Sequence, residues 1–228
     1  MTHIYPVIHY STFEHTFAQA EKCINQKVDG IFLISHNGND YDLIPTANAI
    51  KALYDIKIGV NMLGSSDILQ VYDDALGSLC VDMVWFDNCG VSSKGVTPEG
   101  RALSDMAIKH PDVEVFAAVA FKYQKTEERP TLAAAIASSY KFIATTSGSG
   151  TGKSPELAKI QMMSYATDGK LAVASGMTVE NVRRYTPYLS HILVATGISS
   201  DFHTIDETLL EQFVKEVRSN TDGIDTSV

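Results

Sequence analysis

The sequence has few cysteines, few positive charges and no long apolar run. Its three cysteines, Cys23, Cys80 and Cys89, form no CxxC pair, so we expect neither a disulfide framework nor a structural zinc site. The chain has 18 Lys and Arg against 27 Asp and Glu, a net charge of −9, and no basic stripe, which argues against a nucleic-acid partner. No apolar run reaches about 18 residues and no signal peptide is evident, so we predict no membrane partner and a cytoplasmic protein.

The composition is that of one folded domain. Of the 228 residues, 45% are hydrophobic and 20% are charged, and no linker-like stretch interrupts them. Chains of this length can bury a large core, and α/β barrels of similar size form one domain. We therefore predict a single domain over residues 1–228, with the polar segment 219–228 as a frayed tail.

Eight short apolar runs with β-strand character recur along the chain, with helix-like stretches between them. Nearly continuous apolar runs are typical of parallel strands that are buried on both faces. This alternation predicts an α/β fold, a single (β/α)8 barrel, and the alternative is an open doubly wound sheet. The eight predicted strands cover residues 4–10, 30–36, 57–63, 83–88, 113–121, 141–147, 170–176 and 191–197.

The stretches between the strands predict amphipathic helices. Phe13, Phe17, Ala20 and Ile24 recur at helical spacing and predict the buried face of the first helix. Further helices are predicted over residues 65–79, 178–189 and 204–217. The segment 89–112 is the longest loop-bearing connection and a candidate lid.

Polar residues collect where the predicted strands end, which in a barrel is the edge that carries the active site. So many polar groups would be costly to bury without partners, so we expect them to line one pocket. As catalytic residues we predict Asp87, Lys122 and His9, and as substrate-binding residues His36, Asn61, Asn88, Thr146 and Ser147.

Glycine-rich loops follow the last three predicted strands. Glycine allows backbone N–H groups to approach an anion, and barrels often bind phosphate with these loops. The loop at 147–154 is not a Walker A motif, because Ser147 stands where that motif needs glycine. A helix that starts near Asp201 or Thr204 would add its dipole. The predicted phosphate-binding residues are Gly148, Gly150, Thr151, Gly152, Lys153, Ser175, Gly176, Thr196 and Gly197.

The two charged candidates each allow more than one role. Lys122 is a fixed cation for phosphate, a lysine at the rim, or a Schiff-base nucleophile. Asp87 is a general base, a ligand of ribose hydroxyls, or a turn-forming residue. No cofactor is predicted. A divalent metal bound by His9, His36 and Asp87 is an alternative that no close-spaced ligand motif supports, and Cys89 is expected to be structural.

At these residues the chain resembles the BtpA/SgcQ family of barrel proteins. The similarity lies in VIH at 7–9, VDGIF at 28–32, GVN at 59–61, AVAFK at 118–122, TSGSGTG at 146–152, ASG at 174–176, ENV at 180–182 and VATG at 194–197. It departs from the family at 10–13, at 64–67 and at 199–201, where the expected lysine is missing. The resemblance implies a barrel with a phosphate-type ligand, and some similar sequences are labelled phosphoribosyltransferases.

These observations lead to one main functional hypothesis and two rivals. The main one is an enzyme that acts on a phosphorylated sugar or nucleotide, by transfer or cleavage at an anomeric carbon. The first rival is a Schiff-base aldolase that uses Lys122. The second is a non-catalytic protein that binds a phosphorylated ligand or serves assembly. The sequence leaves open whether the chain forms a homo-oligomer.

Overall fold

The protein is a closed barrel of eight parallel strands, seen in a computed structural model that describes residues 1–36, 38, 40–77 and 81–219. Each strand pairs with its neighbours along the chain, and the last pairs with the first. This confirms the single (β/α)8 barrel and excludes the open sheet. The strands are β1 His3–His9, β2 Gly30–Ile34, β3 Lys57–Asn61, β4 Met83–Phe86, β5 Glu114–Ala118, β6 Ile143–Thr146, β7 Leu171–Ala174 and β8 His191–Val194.

Helices surround the barrel after seven of the eight strands. Side-chain caps mark several starts: Thr12 accepts a hydrogen bond from the His15 N–H, and Thr97 accepts one from the Gly100 N–H. Asp67 likewise accepts from the N–H groups of Leu69 and Gln70. The helices are α1 Phe13–Asn25, α2 Leu43–Leu53, α3 Ile68–Gly77, α4 Pro98–Lys109, α5 Pro130–Ser139, α6 Leu157–Ala166 and α7 Glu207–Ser219.

The connection after β7 differs from the prediction. The continuous helix predicted over 178–189 is wrong, because the segment forms two short 3₁₀ turns, Val182–Arg184 and Thr186–Tyr188. Pro187 accounts for the break, since proline has no N–H and its ring clashes inside an α-helix. The segment begins with a side-chain cap, because the Thr178 N–H donates to Asn181 Oδ1.

Two further helix predictions need correction. The last helix begins at Glu207 rather than at 204, because Asp206 Oδ1 caps it by accepting from the N–H groups of Thr208 and Leu209. In α1, Phe13 is 38% exposed and the polar Gln19 faces inward. Gln19 can be buried because its Oε1 accepts the Ile205 N–H.

Aromatic side chains fill the inside of the barrel. Phe32 contacts Tyr5, Trp85 and Phe116 edge to face, with ring centroids 5.2–6.1 Å apart. Gly59 leaves room for the Phe32 ring, since a Cβ there would overlap it. The barrel is therefore closed by packed rings below its carboxyl mouth.

The candidate lid after β4 begins with a short hairpin, Val91–Ser92 and Gly95–Val96. It is tied to the loop after β5, because Glu127 Oε2 accepts the Ser93 N–H at 2.9 Å. A lid function stays a prediction.

Three remaining predictions concern the cysteines, membranes and the tail. Cys23 and Cys89 are buried free thiols, and burial raises the pKa of Cys89 to about 12, which fits a structural role. Cys80 and residues 220–228 of the predicted tail lie outside the described residues, while Ser219 ends α7. Within the described part of the chain, no helix is both long and apolar enough to cross a membrane.

Candidate active site at the carboxyl mouth of the barrel

A cavity of about 360 Å³ lies at the carboxyl ends of the strands, where the barrel fold places active sites. Its floor is apolar and comes from the barrel strands themselves, and polar side chains stand around it. The floor consists of Val7, Ile34, Trp85, Ala174 and Leu193. The predicted site residues that line the cavity are His9, His36, Asp87, Lys122, Thr151, Ser175, Gly176, Thr196 and Gly197.

The loops after β7 and β8 bring unpaired backbone donors to this cavity. Gly176, Met177, Thr196 and Gly197 all line it, and their N–H groups donate to no atom among the described residues. Unpaired N–H groups that cluster in loops form anion-binding sites, because each carries a partial positive charge. The two loops can therefore bind one anionic group.

Gly176 and Gly197 are required by loop packing. A Cβ on Gly176 would overlap the Lys153 backbone, and its φ of +77° is one that L-residues rarely adopt. A Cβ on Gly197 would overlap the carbonyl oxygen of Met177. The two glycines thus let the last three loops pack directly on one another.

The loop after β6 lies mostly beside the cavity rather than in its lining. Ser175 Oγ accepts the Gly152 N–H at 3.2 Å and donates to the Gly150 carbonyl at 3.3 Å. A Cβ on Gly148 would overlap the backbone of Lys153, whose side chain is exposed. Of the five phosphate-binding residues predicted in this loop, Thr151 alone lines the cavity.

The sequence predicted Lys122 at the end of a strand, but the residue lies on a bent loop. β5 ends at Ala118, and Ala120 and Tyr123 have φ values of +49° and +66°. Such values are rare for residues other than glycine and cost about 1 kcal/mol or more each. Strain of this kind collects at functional sites, so the loop is a marker of the site.

The Lys122 side chain is half-buried beside the cavity. Its Nζ lies 3.5 Å from Thr151 Oγ1 and 5.7 Å from the centre of the Phe121 ring. Burial lowers the pKa of Lys122, while Tyr123 and Asp87 partly oppose that shift. An incompletely solvated ammonium favours a bound anion.

Lys159 holds this loop in place and was not predicted from the sequence. It extends from α6, and its Nζ donates to the carbonyls of Ala120 at 2.8 Å and Ser147 at 3.0 Å. Ser147 Oγ in turn accepts the Lys122 N–H at 2.7 Å. The loops after β5 and β6 are thereby joined under Lys122.

Asp87 lies just beyond β4 and is oriented by two neighbours. Its Oδ1 accepts a hydrogen bond from Asn61 Nδ2 at 3.1 Å, and its backbone carbonyl accepts one from Gln124 Nε2 at 2.6 Å. Asn61 is 2% exposed. Asn61 thus holds Asp87 and does not line the cavity, and its substrate-binding role stays a prediction.

Three other predicted residues do not line the cavity. Asn88 Oδ1 accepts the Gly90 N–H at 3.0 Å, which makes it a turn residue. Thr146 Oγ1 donates to the Ala120 carbonyl at 3.1 Å, and Ser147 is buried under Lys122. Thr146 and Ser147 thus support the loop that carries Lys122.

His9 and His36 form a stacked pair at the rim. Their ring centroids are 4.9 Å apart, and Phe202 lies 4.2 Å from His9. Burial, with help from His36, His203 and Lys122, lowers the pKa of His9 to about 4. Burial also lowers the pKa of His36, against the opposing influence of Asp87. His9 is therefore neutral near pH 7.

His9 has an unusual hydrogen-bonding state. Its Nδ1 is buried and has no partner among the described residues. The His9 carbonyl is paired with His203 Nδ1 at 3.0 Å. Buried polar atoms without partners are rare, and a catalytic role is one established reason for them.

The metal alternative finds no support in the geometry. Across residues 1–36, 38, 40–77 and 81–219, no three His, Cys, Asp or Glu side chains are close enough to hold a metal ion. His9, His36 and Asp87 therefore do not form a ligand set in this structure.

Sequence reasoning missed the aromatic lining of the cavity. Trp85, Phe121, Tyr123 and Phe202 all line it. Trp85 had a usable signal, because alternate residues of a strand face the same side and Asp87 follows two residues later. Phe202 lies in the loop after β8, where no periodicity indicates its direction.

Comparisons with known proteins agree on the fold. No family model and no curated protein matches the chain. Phosphoribosyl anthranilate isomerase from Thermotoga maritima is similar in structure, with a TM-score of 0.68, 14% identity, and coverage of 96% of this chain and 100% of that one. The native KDPGal structure is also similar, with a TM-score of 0.68, 15% identity, and coverage of 96% of both chains. For (S)-3-O-geranylgeranylglyceryl phosphate synthase from Thermoplasma acidophilum, the TM-score is 0.65 and the identity 13%, with coverage of 96% of this chain and 94% of that one.

Proposed function

We propose that the protein is a barrel enzyme that acts on a phosphorylated sugar or nucleotide, by transfer or cleavage at an anomeric carbon. The observation that carries this proposal is that four residues lining the cavity in the loops after β7 and β8, Gly176, Met177, Thr196 and Gly197, have unpaired N–H groups. These are the loops with which barrels often bind phosphate. The predicted ligand-binding role of Gly176 and Gly197 then belongs to their N–H groups.

Lys122 supplies positive charge to the same cavity in this proposal. The phosphate accepts hydrogen bonds from Gly176, Met177, Thr196 and Gly197, and the Lys122 ammonium balances its charge. The net charge of −9 does not oppose this, because binding depends on the local field at the cavity.

Asp87 and His9 are the proton-transfer groups of the proposed reaction. Asn61 orients the Asp87 carboxyl, which accepts a proton or binds ribose hydroxyls. His9 is neutral at physiological pH because its pKa is about 4, so its role is to share a hydrogen bond with the proton in transit rather than to hold the proton.

The structural neighbours support a phosphorylated ligand without identifying it. Their names include a phosphoribosyl compound, a glyceryl phosphate and a hexulose 6-phosphate, and one structure contains sn-glycerol-1-phosphate. The resemblance to the BtpA/SgcQ family agrees with this ligand class. That family, a cytoplasmic location, the absence of a nucleic-acid partner and the oligomeric state stay predictions.

The first test is ligand binding by thermal shift. Inorganic phosphate, ribose 5-phosphate, phosphoribosyl pyrophosphate and nucleoside monophosphates are screened, because a ligand of the native state raises the melting temperature. Glycine variants are unsuitable, since a side chain on Gly176 or Gly197 would disrupt loop packing.

Lys122→Met and Lys125→Met form a matched pair of variants for this screen. We expect Lys122→Met to weaken binding of the best phosphorylated ligand by about thirtyfold, because a charge-assisted hydrogen bond is lost. Lys125→Met removes an exposed lysine of the same loop and serves as the control. Equal affinities of the two variants, or no shift with any phosphorylated compound, would contradict the proposal.

A Schiff-base aldolase is a second candidate because burial lowers the pKa of Lys122. A lysine with a lowered pKa is a better nucleophile toward a carbonyl substrate. Borohydride reduction in the presence of sugar phosphates should then attach substrate to Lys122, as read by mass spectrometry. Ligand binding without turnover, together with full activity of Asp87→Asn in cells, would instead indicate a non-catalytic binding or assembly protein.

A further inference from the structure

We propose that the ligand of this cavity carries an aromatic ring in addition to its phosphate, and that the ring binds on the apolar floor against Trp85, Phe121 and Phe202. The proposal rests on the proposed function and narrows its substrate class. It favours a nucleotide or another ring-bearing phosphate over a bare sugar phosphate.

The floor of the cavity is unsuited to a polyhydroxylated ligand. It is formed by Val7, Ile34, Trp85, Ala174 and Leu193, whose side chains offer one polar atom, the unpartnered Trp85 Nε1 donor, and no acceptor. One sugar hydroxyl could accept from Trp85 Nε1, and any further hydroxyl placed there would lose its hydrogen bonds to water without replacement. An apolar ring would instead lose only unfavourable contact with water.

Phe121 and Phe202 add aromatic surface to the lining of the cavity. Phe121 contacts Trp85 edge to face at 5.9 Å, and Phe202 covers His9 at 4.2 Å. Aromatic rings bind a further ring by stacking or by edge-to-face contact. Phe202 is 55% exposed although it is a large apolar side chain, so a bound ring would bury more of it.

The polar and apolar parts of the cavity are close enough for one small ligand. Both belong to a single space of about 360 Å³, which lies within the range of about 300–1,000 Å³ for small-molecule sites. Ala174 of the floor is two residues before Gly176, and Leu193 is three before Thr196. A ring on the floor can therefore be linked to a phosphate in the loops.

The protein contains its own reporter for this proposal. Trp85 is the only tryptophan in the chain and lines the floor. A ring that contacts Trp85 changes its fluorescence, whereas a phosphate bound only in the loops leaves the floor unoccupied.

Two minimal ligand pairs separate the contributions of ring and phosphate. Phenyl phosphate is compared with methyl phosphate, and the four common ribonucleoside monophosphates are compared with ribose 5-phosphate. Dissociation constants are measured by calorimetry, and Trp85 emission is recorded with correction for ligand absorbance. We expect a ring-bearing member to bind at least tenfold more tightly than its partner and to change the emission.

Phe202→Leu tests the wall with little risk to folding, because the side chain is exposed. We expect it to weaken the binding of ring-bearing phosphates about threefold to tenfold and to leave the affinity for methyl phosphate unchanged. Tyr165→Leu, which removes a 93% exposed ring on α6 away from the cavity, is the matched control and should change neither affinity.

The outcomes distinguish this inference from the proposed function. Equal affinities within both ligand pairs, with no change in Trp85 emission, would overturn the inference that the ligand carries an aromatic ring. That result would not contradict the proposed phosphate site. Adenosine or phenol binding as tightly as its phosphorylated form would overturn the phosphate site instead. Absence of binding by every compound would overturn both.

Discussion

The two ends of the barrel differ in how their charged side chains are paired. At the amino end, Asp29 Oδ2 accepts hydrogen bonds from Arg218 Nη2 at 2.6 Å and from the Ile4 N–H at 2.7 Å. There too, Asp82 pairs with Lys51 at 2.6 Å. All four salt bridges found among the described residues lie at this end.

At the carboxyl mouth the charged groups are left available. Asp87 and Lys122 are in no salt bridge among the described residues, and His9 Nδ1 has no partner there. The amino end therefore pairs its charged groups within the fold, whereas the mouth keeps unpaired groups that a ligand can use.

The largest expected effect comes from breaking the amino end. Asp29→Ala removes the partner of Arg218 and of the Ile4 N–H, so we expect the free energy of unfolding to fall by about 3 kcal/mol. Urea denaturation measures it. Asp87→Ala at the mouth is the matched variant and should cost less than about 1 kcal/mol. Equal losses would mean that the two ends do not differ in stability.

Lys159 connects the fold to the mouth and should affect both. Lys159→Met keeps the aliphatic stem but removes two hydrogen bonds to backbone carbonyls, so we expect a loss of about 1.5 kcal/mol in stability. Because Ala120 and Ser147 then relax, Lys122 should also bind phosphorylated ligands several-fold more weakly. Lys215→Met, an exposed lysine on α7, is the control for denaturation and calorimetry. Unchanged ligand affinity would show that Lys159 does not position Lys122.

One neutral histidine at each end makes stability depend on pH. The pKa of His191 at the amino end is lowered by burial to about 3, and that of His9 to about 4. Between pH 6.5 and these values the unfolded chain binds protons that the folded protein does not. Stability therefore falls as the pH falls through this window, by about 1 kcal/mol per histidine between pH 6 and 5.

Single substitutions separate the two histidines. His9→Phe and His191→Phe should each flatten the decrease in unfolding free energy between pH 6 and 5, as measured by urea denaturation at each pH. His110→Phe replaces an exposed histidine and serves as the control. A decrease as steep in His9→Phe as in the unchanged protein would mean that His9 takes up its proton equally in both states.

Sequence pattern predicted the barrel well because its signal is repeated eight times. Each predicted strand overlaps an observed one, since strands buried on both faces are continuous apolar runs. The failures came where tertiary contacts decide. Pro187 broke a helix that periodicity favoured, and Gln19 is buried because a distant backbone N–H pairs with it.

The sequence predicted which residues line the cavity more accurately than it predicted the role of each residue. Asp87, Lys122 and His9 do line the cavity. The pattern could not show that Asn61 holds Asp87 or that Lys159 ties two loops, because these contacts join residues between 12 and 39 positions apart. The glycines were assigned to the ligand through their N–H groups, and the pattern could not show that neighbouring backbone closes the side-chain positions of Gly148, Gly176 and Gly197.

The smallest expected effect concerns Lys153, which the glycine-rich pattern assigned to phosphate. Its side chain is exposed and does not line the cavity, whereas its backbone packs against Gly148 and Gly176. Lys153→Met keeps that backbone, so we expect stability within about 0.5 kcal/mol of the original and ligand affinity within about twofold. Lys122→Met, measured by calorimetry with the same ligand, should lose about thirtyfold. A loss in Lys153→Met as large as that in Lys122→Met would mean that the loop after β6 closes over the phosphate and that its lysine reaches the ligand.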